Sequence, residues 1–302
     1  MLSFNVFVKT AGYTGRSFPC SLTFTHFMHT IRLFLLPASL LFGLMLTCVG
    51  VSAETSKLAH AAADLIKLPP PIRSVSHDPR AFTQGLVIEG RSMWQSSGLY
   101  GRSYVERLDA VSGKVVQRHY LSKQFFAEGV AVLNDTLYLL SWRAGRVWMF
   151  HASTLVERKQ LRYHGEGWGL ASDGSQLLMS DGSAVIRYRD PVTFHETRAI
   201  TVTENGQPVN QLNELEWVEG KLWANIWKTD DIVIINPETG VVETRIDASA
   251  LRLLVPKKAG VLNGIAYDPG CHCIWLTGKN WPAMFLYQYQ YGRLTGGKPD
   301  LL

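Results

Sequence analysis

Phe82-Thr-Gln-Gly-Leu86, Phe126-Ala-Glu-Gly-Val130, Gly167-Trp-Gly-Leu170, Leu212-Asn-Glu-Leu-Glu-Trp217 and Leu262-Asn-Gly-Ile-Ala266 are five versions of one short phrase. In each, a polar or aromatic residue leads into a small-residue step and then an apolar strand. Aligned on Gly85, Gly129, Gly169, Glu214 and Gly264, successive versions lie 44, 40, 45 and 50 residues apart. Four short strands and their turns fill roughly 40–50 residues, which is the period of a propeller blade. The spacing therefore predicts an all-β, five-bladed β-propeller. The residues just before the register positions are Gln84, Glu128, Trp168, Asn213 and Asn263, and equivalent blades would gather these five side chains around one axis.

The chain between these phrases agrees with that period. Leu137-Tyr-Leu-Leu-Ser-Trp142, Val147-Trp-Met-Phe150, Gln176-Leu-Leu-Met-Ser180, Val185-Ile-Arg-Tyr188, Lys221-Leu-Trp-Ala-Asn-Ile-Trp227 and Ile232-Val-Ile-Ile235 are β-rich runs bounded by turn residues. Three units share a turn after the third strand, Asp109-Ala-Val-Ser-Gly113, His151-Ala-Ser-Thr154 and Asn236-Pro-Glu-Thr-Gly240, followed by a charged outer strand. Upstream, Leu68-Pro-Pro-Pro71 stiffens the chain, and Ile72-Arg-Ser-Val-Ser76 reads as a strand that would complete the last blade and close the ring. Residues 54–63 read as a linker or a short helix.

Of 302 residues, 46% are hydrophobic, enough for one sizeable core. The formal charge of +5 shrinks to +2 after residue 53, because Lys9, Arg16 and Arg32 precede it without any acidic residue. No basic tract remains that would suit a nucleic acid. Leu33 to Ala53 is apolar and small, follows His29 and Arg32, and ends in Val51-Ser-Ala53, the pattern of a signal-peptidase site. Residues 1–53 are thus expected to be an extension plus a cleavable export signal, with Met28 where such a signal would begin, and residues 54–302 one propeller domain. A run of this length could also span a bilayer, but Pro37 and Gly43 interrupt it. Met45-Leu-Thr-Cys48 lacks the small residue that lipidation of Cys48 would want. The mature product is expected in the periplasm or secreted, a monomer without stable membrane association. Cys271 and Cys273 remain, and the plainest reading is two small thiols facing the core from one strand.

Innermost strands line a propeller's channel, and the loops entering them crowd one mouth. A second constellation lies about fourteen residues after the first, at Trp142, Trp227 and Thr277-Gly-Lys-Asn-Trp281. Together they predict an aromatic-walled pocket with one carboxylate, one amine and several amides, suited to a small polar substrate. Each Trp could instead fill space between blades, each Asn could cap a turn, and Lys279 could be solvated. Glu128, between Phe126 and Val130, is harder to explain structurally, since burying a carboxylate is costly.

At these residues the chain resembles the plant and bacterial glutamine cyclotransferases, a family of five-bladed propellers. The resemblance runs over residues 72–290 through His77-Asp-Pro-Arg-Ala-Phe-Thr-Gln-Gly-Leu86, Phe126-Ala-Glu-Gly129, Leu139-Leu-Ser-Trp142, Gly165-Glu-Gly-Trp-Gly169, Asn213-Glu-Leu-Glu-Trp217, Ala224-Asn-Ile-Trp227, Leu262-Asn-Gly-Ile265 and Thr277-Gly-Lys-Asn-Trp281-Pro282. Gly270-Cys-His-Cys273 is not part of that pattern. The resemblance implies cyclisation of N-terminal glutamine, in peptides or proteins, to pyroglutamate with loss of ammonia and without metal or other cofactor. It implies Glu128 as the acid/base carboxylate, Phe82, Gln84, Phe126, Trp142, Trp168 and Trp227 as the pocket, and Asn213 and Lys279 as polar contacts. Candidate donors to the developing oxyanion are the indole N–H groups, the Asn213 amide and the Lys279 ammonium. Two other readings remain at this point: a metal-dependent lactonase-type hydrolase with Glu128, Asn213 and Asn263 as ligands, and a non-catalytic exported propeller that binds peptides.

Overall fold

The computed structural model describes residues 63–297, and the leader, the signal cleavage site and all but the last residue of the 54–63 segment lie outside them. Five antiparallel sheets follow one another along the chain. Blade 1 runs Thr83–Glu89, Ser92–Ser97, Tyr104–Asp109 and Val115–Tyr120 from inside to outside. Blade 2 runs Ala127–Leu133, Thr136–Ser141, Arg146–His151 and Glu157–Arg162. Blade 3 runs Leu170–Ser172, Leu177–Met179, Val185–Arg189 and Glu196–Thr201. Blade 4 runs Leu212–Val218, Lys221–Ile226, Asp231–Ile235 and Val242–Asp247, and blade 5 begins with Leu262–Asp268, Cys273–Gly278 and Ala283–Gln290. The expected five-bladed propeller is the observed fold.

Each face of a blade packs on a neighbour, so the middle strands are apolar on both sides rather than alternating. Thr136–Ser141 is buried throughout, whereas the outer strand Glu157–Arg162 is almost wholly exposed and charged, which protects the edge. The core is accordingly not one mass but five clusters, one in each gap between adjacent blades. Alternation reappears as a choice of neighbour: Ile232 and Ile234 enter the cluster shared with blade 5, Val233 and Ile235 the cluster shared with blade 3.

The ring closes as the sequence predicts. Arg73–Ser76 pairs antiparallel with blade 5, from Arg73 opposite Leu286 to Ser76 opposite Ala283. The other half of that edge is taken by Arg293–Thr295, so a strand from before the first blade and one from after the last share one strand's flank. Asp64–Lys67 adds a parallel fifth strand to the outside of blade 4, which the sequence reading did not anticipate. The predicted turn after the third strand occurs in four blades, not three. In all of them the fifth residue bonds back to the first and has positive φ: Gly113 (68°), Leu155 (50°), Phe194 (61°) and Gly240 (75°). In blade 3 a buried Phe stands where two other blades use Gly, which hid the unit from pattern reading.

Cys271 and Cys273 depart from expectation. Cys271 is exposed in a turn, His272 between them has φ 52°, and only Cys273 is buried on a strand; the two sulfurs are joined as a disulfide. No helix among the described residues is long and apolar enough to cross a membrane.

The inner strands nearly touch. A β-carbon on Gly85 would lie 2.6 Å from Val130 N, on Gly129 2.4 Å from Leu170 N, and on Gly169 2.0 Å from Asn213 O. Gly129→Ala should therefore cost about 3 kcal/mol or more, because backbone rather than a flexible side chain must yield. Urea unfolding checks this: an Ala variant within about 0.5 kcal/mol of the parent, the range of neutral surface changes, contradicts it.

Candidate active site

Where the inner strands begin, their pairing with the second strand slips. Register shifts fall between Thr83 and Gly85, Ala127 and Val130, Leu212 and Leu215, and Leu262 and Ile265. Each is a bulge, and a bulge re-aims the side chain at its apex. The apex residues are Gln84, Glu128, Asn213 and Asn263, the positions singled out by the repeat. Second-strand side chains fasten the bulge of the following blade: Ser96 Oγ donates to Glu128 O at 2.5 Å, Ser180 Oγ to Asn213 O at 2.6 Å, and Gly264 N donates to Asn225 Oδ1 at 2.9 Å.

The result is a cavity of about 240 Å3 lined by Phe82, Gln84, Leu99, Phe126, Glu128, Trp142, Trp168, Asn213, Trp227 and Lys279. All nine residues named from the sequence are present. The floor is polar and buried, with Gln84, Glu128, Asn213 and Lys279 each at 6% exposure or less. The walls are half-buried aromatic rings: Phe126 meets Trp142 at 5.5 Å between centroids, and Trp168 meets Trp227 edge-on at 5.3 Å. Leu99, which the sequence reading missed, sits in the lip at φ 93°, a conformation unusual for a branched side chain, and no local residue pattern signals it. Next to it Gly98 is obligatory, since a β-carbon there would strike the Phe126 ring at 2.3 Å.

Two residues of the expected constellations lie elsewhere. The Asn263 amide turns to the backbone and donates to Thr83 O at 2.9 Å, so the ring of five facing side chains is a ring of four. Asn263 is not among the residues that line the cavity, so the metal-ligand set Glu128, Asn213 and Asn263 is not gathered there. Trp281 is fully buried in the core between blades 4 and 5, where its indole donates to Gly260 O. Gly260 in turn brackets Lys279: Gly260 N donates to Lys279 O at 2.7 Å and Lys279 N to Val261 O at 2.9 Å, which fixes the loop presenting the amine. His77 anchors the same loop, bonded to Trp281 O and, through its other ring nitrogen, to Gln95 Oε1.

Electrostatics sets the floor apart. Burial pushes the Glu128 carboxyl well above the usual carboxylate range, against the opposing pull of Lys279 and of the hydrogen bond from Gln84 Nε2 at 2.7 Å. Burial also lowers the Lys279 ammonium to about 8, with Glu128 acting in the other direction. Its Nζ sits 4.8 Å over the Phe82 ring. The Gln84 Oε1 atom is buried without a partner.

Glu166 is the functional residue the sequence left without a role. Its carboxylate accepts from Trp142 Nε1 at 2.7 Å and Trp168 Nε1 at 3.0 Å, and from Arg143 Nε at 2.8 Å. Arg143 stacks over Trp142 at 3.8 Å. The two indole N–H groups are thus committed to holding the wall and do not face a developing oxyanion, which corrects that part of the sequence reading. A second missed carboxylate, Glu214, spans the axis below the cavity and accepts from Leu86 N and Ile265 N at 3.2 and 3.0 Å. It stands at the register position that the other four blades fill with Gly.

Fold and site define a five-bladed propeller with a single buried carboxyl, Glu128, at the bottom of an aromatic pocket. Residues 43–289 match the glutamine cyclotransferase family. The Arabidopsis thaliana glutaminyl-peptide cyclotransferase is 38% identical over 215 residues, covering 69% of this chain and 67% of that protein. The crystal structure of the Myxococcus xanthus glutaminyl cyclase, 36% identical, superposes with a TM-score of 0.70 over 74% of this chain and 97% of that one. The chain belongs to the glutamine cyclotransferase family.

Glu166→Ala should free both indoles at a cost of about 1 kcal/mol in stability, since the carboxylate is partly exposed. Tryptophan emission of the folded variant should shift to longer wavelength; an unchanged spectrum would show that the clamp does not hold the wall.

Proposed function

We propose that the protein is an exported, monomeric glutaminyl-peptide cyclotransferase that converts N-terminal glutamine of peptides or proteins into pyroglutamate and ammonia. The observation that carries this reading is Glu128: a carboxyl buried among aromatic rings, bonded to Gln84 and facing Lys279, at the floor of a cavity sized for one residue. The named relatives support it, and the leader pattern before residue 54 supports export.

The reaction is intramolecular, so the pocket must mainly fold the substrate and manage two protons. Aromatic walls strip water from the glutaminyl side chain and press the α-amine toward the γ-carbonyl carbon. The free amine attacks that carbon, forming the ring C–N bond. Glu128, holding its proton at neutral pH, gives it to the departing amide nitrogen, and the carboxylate so formed takes a proton from the ring nitrogen. The C–N bond to the leaving group breaks, and ammonia departs with Glu128 restored. One carboxyl serves both transfers because the attacking and leaving nitrogens are attached to the same carbon.

Negative charge grows meanwhile on the former carbonyl oxygen. Asn213 and the Lys279 ammonium are the donors placed to meet it, in a site where low dielectric strengthens both. Gln84 Oε1, unpartnered in the free protein, is the acceptor offered to the substrate amine.

Glu128→Gln keeps the shape and removes the titrating proton. It should lower kcat for ammonia release from a Gln-initiated dipeptide by about 10²–10⁴ while leaving KM within about threefold. Near-normal turnover in the folded variant would overturn the mechanism. The pH profile has a definite sign. Below about 8 the substrate amine is protonated and cannot attack; above about 8 Lys279 loses its charge. The rate should peak near that value, and Lys279→Arg, which stays charged, should move the alkaline limb upward. A limb that stays in place would remove Lys279 from the role of oxyanion donor.

A further inference from the structure

The segment that delivers Trp168 to the cavity begins with Tyr163, His164 and Gly165, and these line a second cleft of about 630 Å3 between blades 2 and 3. Across it stands Arg189, at the end of the third strand of blade 3. Its side chain is 8% exposed, yet its Nε has no hydrogen-bond partner, and the carboxylate within reach, Glu196, is 3.9 Å from Nη2. Glu196 is already held by Arg187 at 3.0 Å. The other acidic wall residue, Asp181, is likewise taken up by Arg187 and by Ser183 N and Oγ.

A guanidinium buried without a matched anion is unfavourable, because desolvation is not repaid by pairing; burial lowers the Arg189 pKa accordingly. The group is nevertheless held on a platform. Its carbon lies 5.6 Å from the centroid of the Phe194 ring, which itself packs on Tyr163 at 5.6 Å. Phe194 is the residue in the left-handed turn position that blades 1 and 4 fill with Gly. Arg162, His164 and His195 lie at the exposed margin, and the three arginines of the cleft, Arg162, Arg187 and Arg189, outnumber its two engaged carboxylates.

We propose that this cleft is a binding site for an oxyanion of the carboxylate, sulfate or phosphate class, received by the planar fork of Arg189 with Arg162 and His164 at its rim. Two sources share that chemistry. One is a free inorganic ion; the other is a carboxylate further along the peptide whose N-terminus occupies the cavity. Gly165 and Trp168 are three residues apart, at most about 11 Å of chain, a span that a few extended peptide residues can cover.

Calorimetry of the folded chain with sulfate at constant ionic strength reads the site whether or not the protein cyclises glutamine. One saturable site is expected in the parent, weakened at least about tenfold by Arg189→Met and about two- to fivefold by Arg162→Ala. Should the peptide be the source, sulfate binds without saturating, but Gln-Ala-Ala-Asp shows a lower KM than Gln-Ala-Ala-Asn, and Arg189→Met erases the difference. The proposal is overturned if neither effect appears in the parent, or if the effect seen survives unchanged in Arg189→Met. If that variant does not fold, Arg162→Ala, at an exposed position, decides: unchanged affinity or unchanged peptide preference there overturns the site.

Discussion

The inner strands of the first four blades lie too close together for a β-carbon at Gly85, Gly129 or Gly169. That steric limit organises the rest. In blades 1 and 2 the close approach coincides with a bulge in the pairing with the second strand, and the bulge aims the side chain before the glycine into the channel. Gly129 N donating to Trp168 O at 2.6 Å shows how direct the contact is. Where Glu214 replaces Gly, the carboxyl itself bridges to Leu86 N and Ile265 N. The cavity is thus not carved into a finished propeller; it is what five strands leave when they converge.

Two glutamates near that cavity show how environment divides labour. Glu128 lies at the floor, buried, with one amide donor and an amine that is itself desolvated, and its carboxyl is pushed well above the ordinary range. Glu166 stands at the rim, partly in water, and its three N–H donors hold its carboxyl below the ordinary range despite some desolvation. Burial thus favours the protonated form of the first, while hydrogen bonds favour the charged form of the second, which holds the indoles. Exchanging their environments would exchange their roles.

Much of this was legible in the chain, because period and phrase are local. The five openings, the closing strand Arg73–Ser76 and nine of the ten cavity residues follow from spacing and from the family motifs. What escaped depends on partners distant in sequence or on residues that break a pattern. Asp64–Lys67 is four residues long and pairs with a strand some 180 residues away. The blade 3 turn was masked by Phe194 in a glycine position, and Glu166 in Gly165-Glu-Gly-Trp-Gly169 looks like a solvated loop residue until two indoles from different loops meet it. Asn263 shares the register of its counterparts but its amide turns to the backbone, while Trp281, four residues beyond the fourteen-residue spacing of Trp142 and Trp227, is taken up by core packing.

The central claim is that the fold keeps the Glu128 carboxyl protonated at neutral pH. Infrared difference spectra of the protein with labelled glutamate carboxyl groups, taken against the Glu128→Gln variant across pH, measure this directly. The account predicts a protonated carboxyl band at pH 7 that is lost only well above the usual 4.5. A carboxylate band at pH 7, titrating near 4.5, would contradict it.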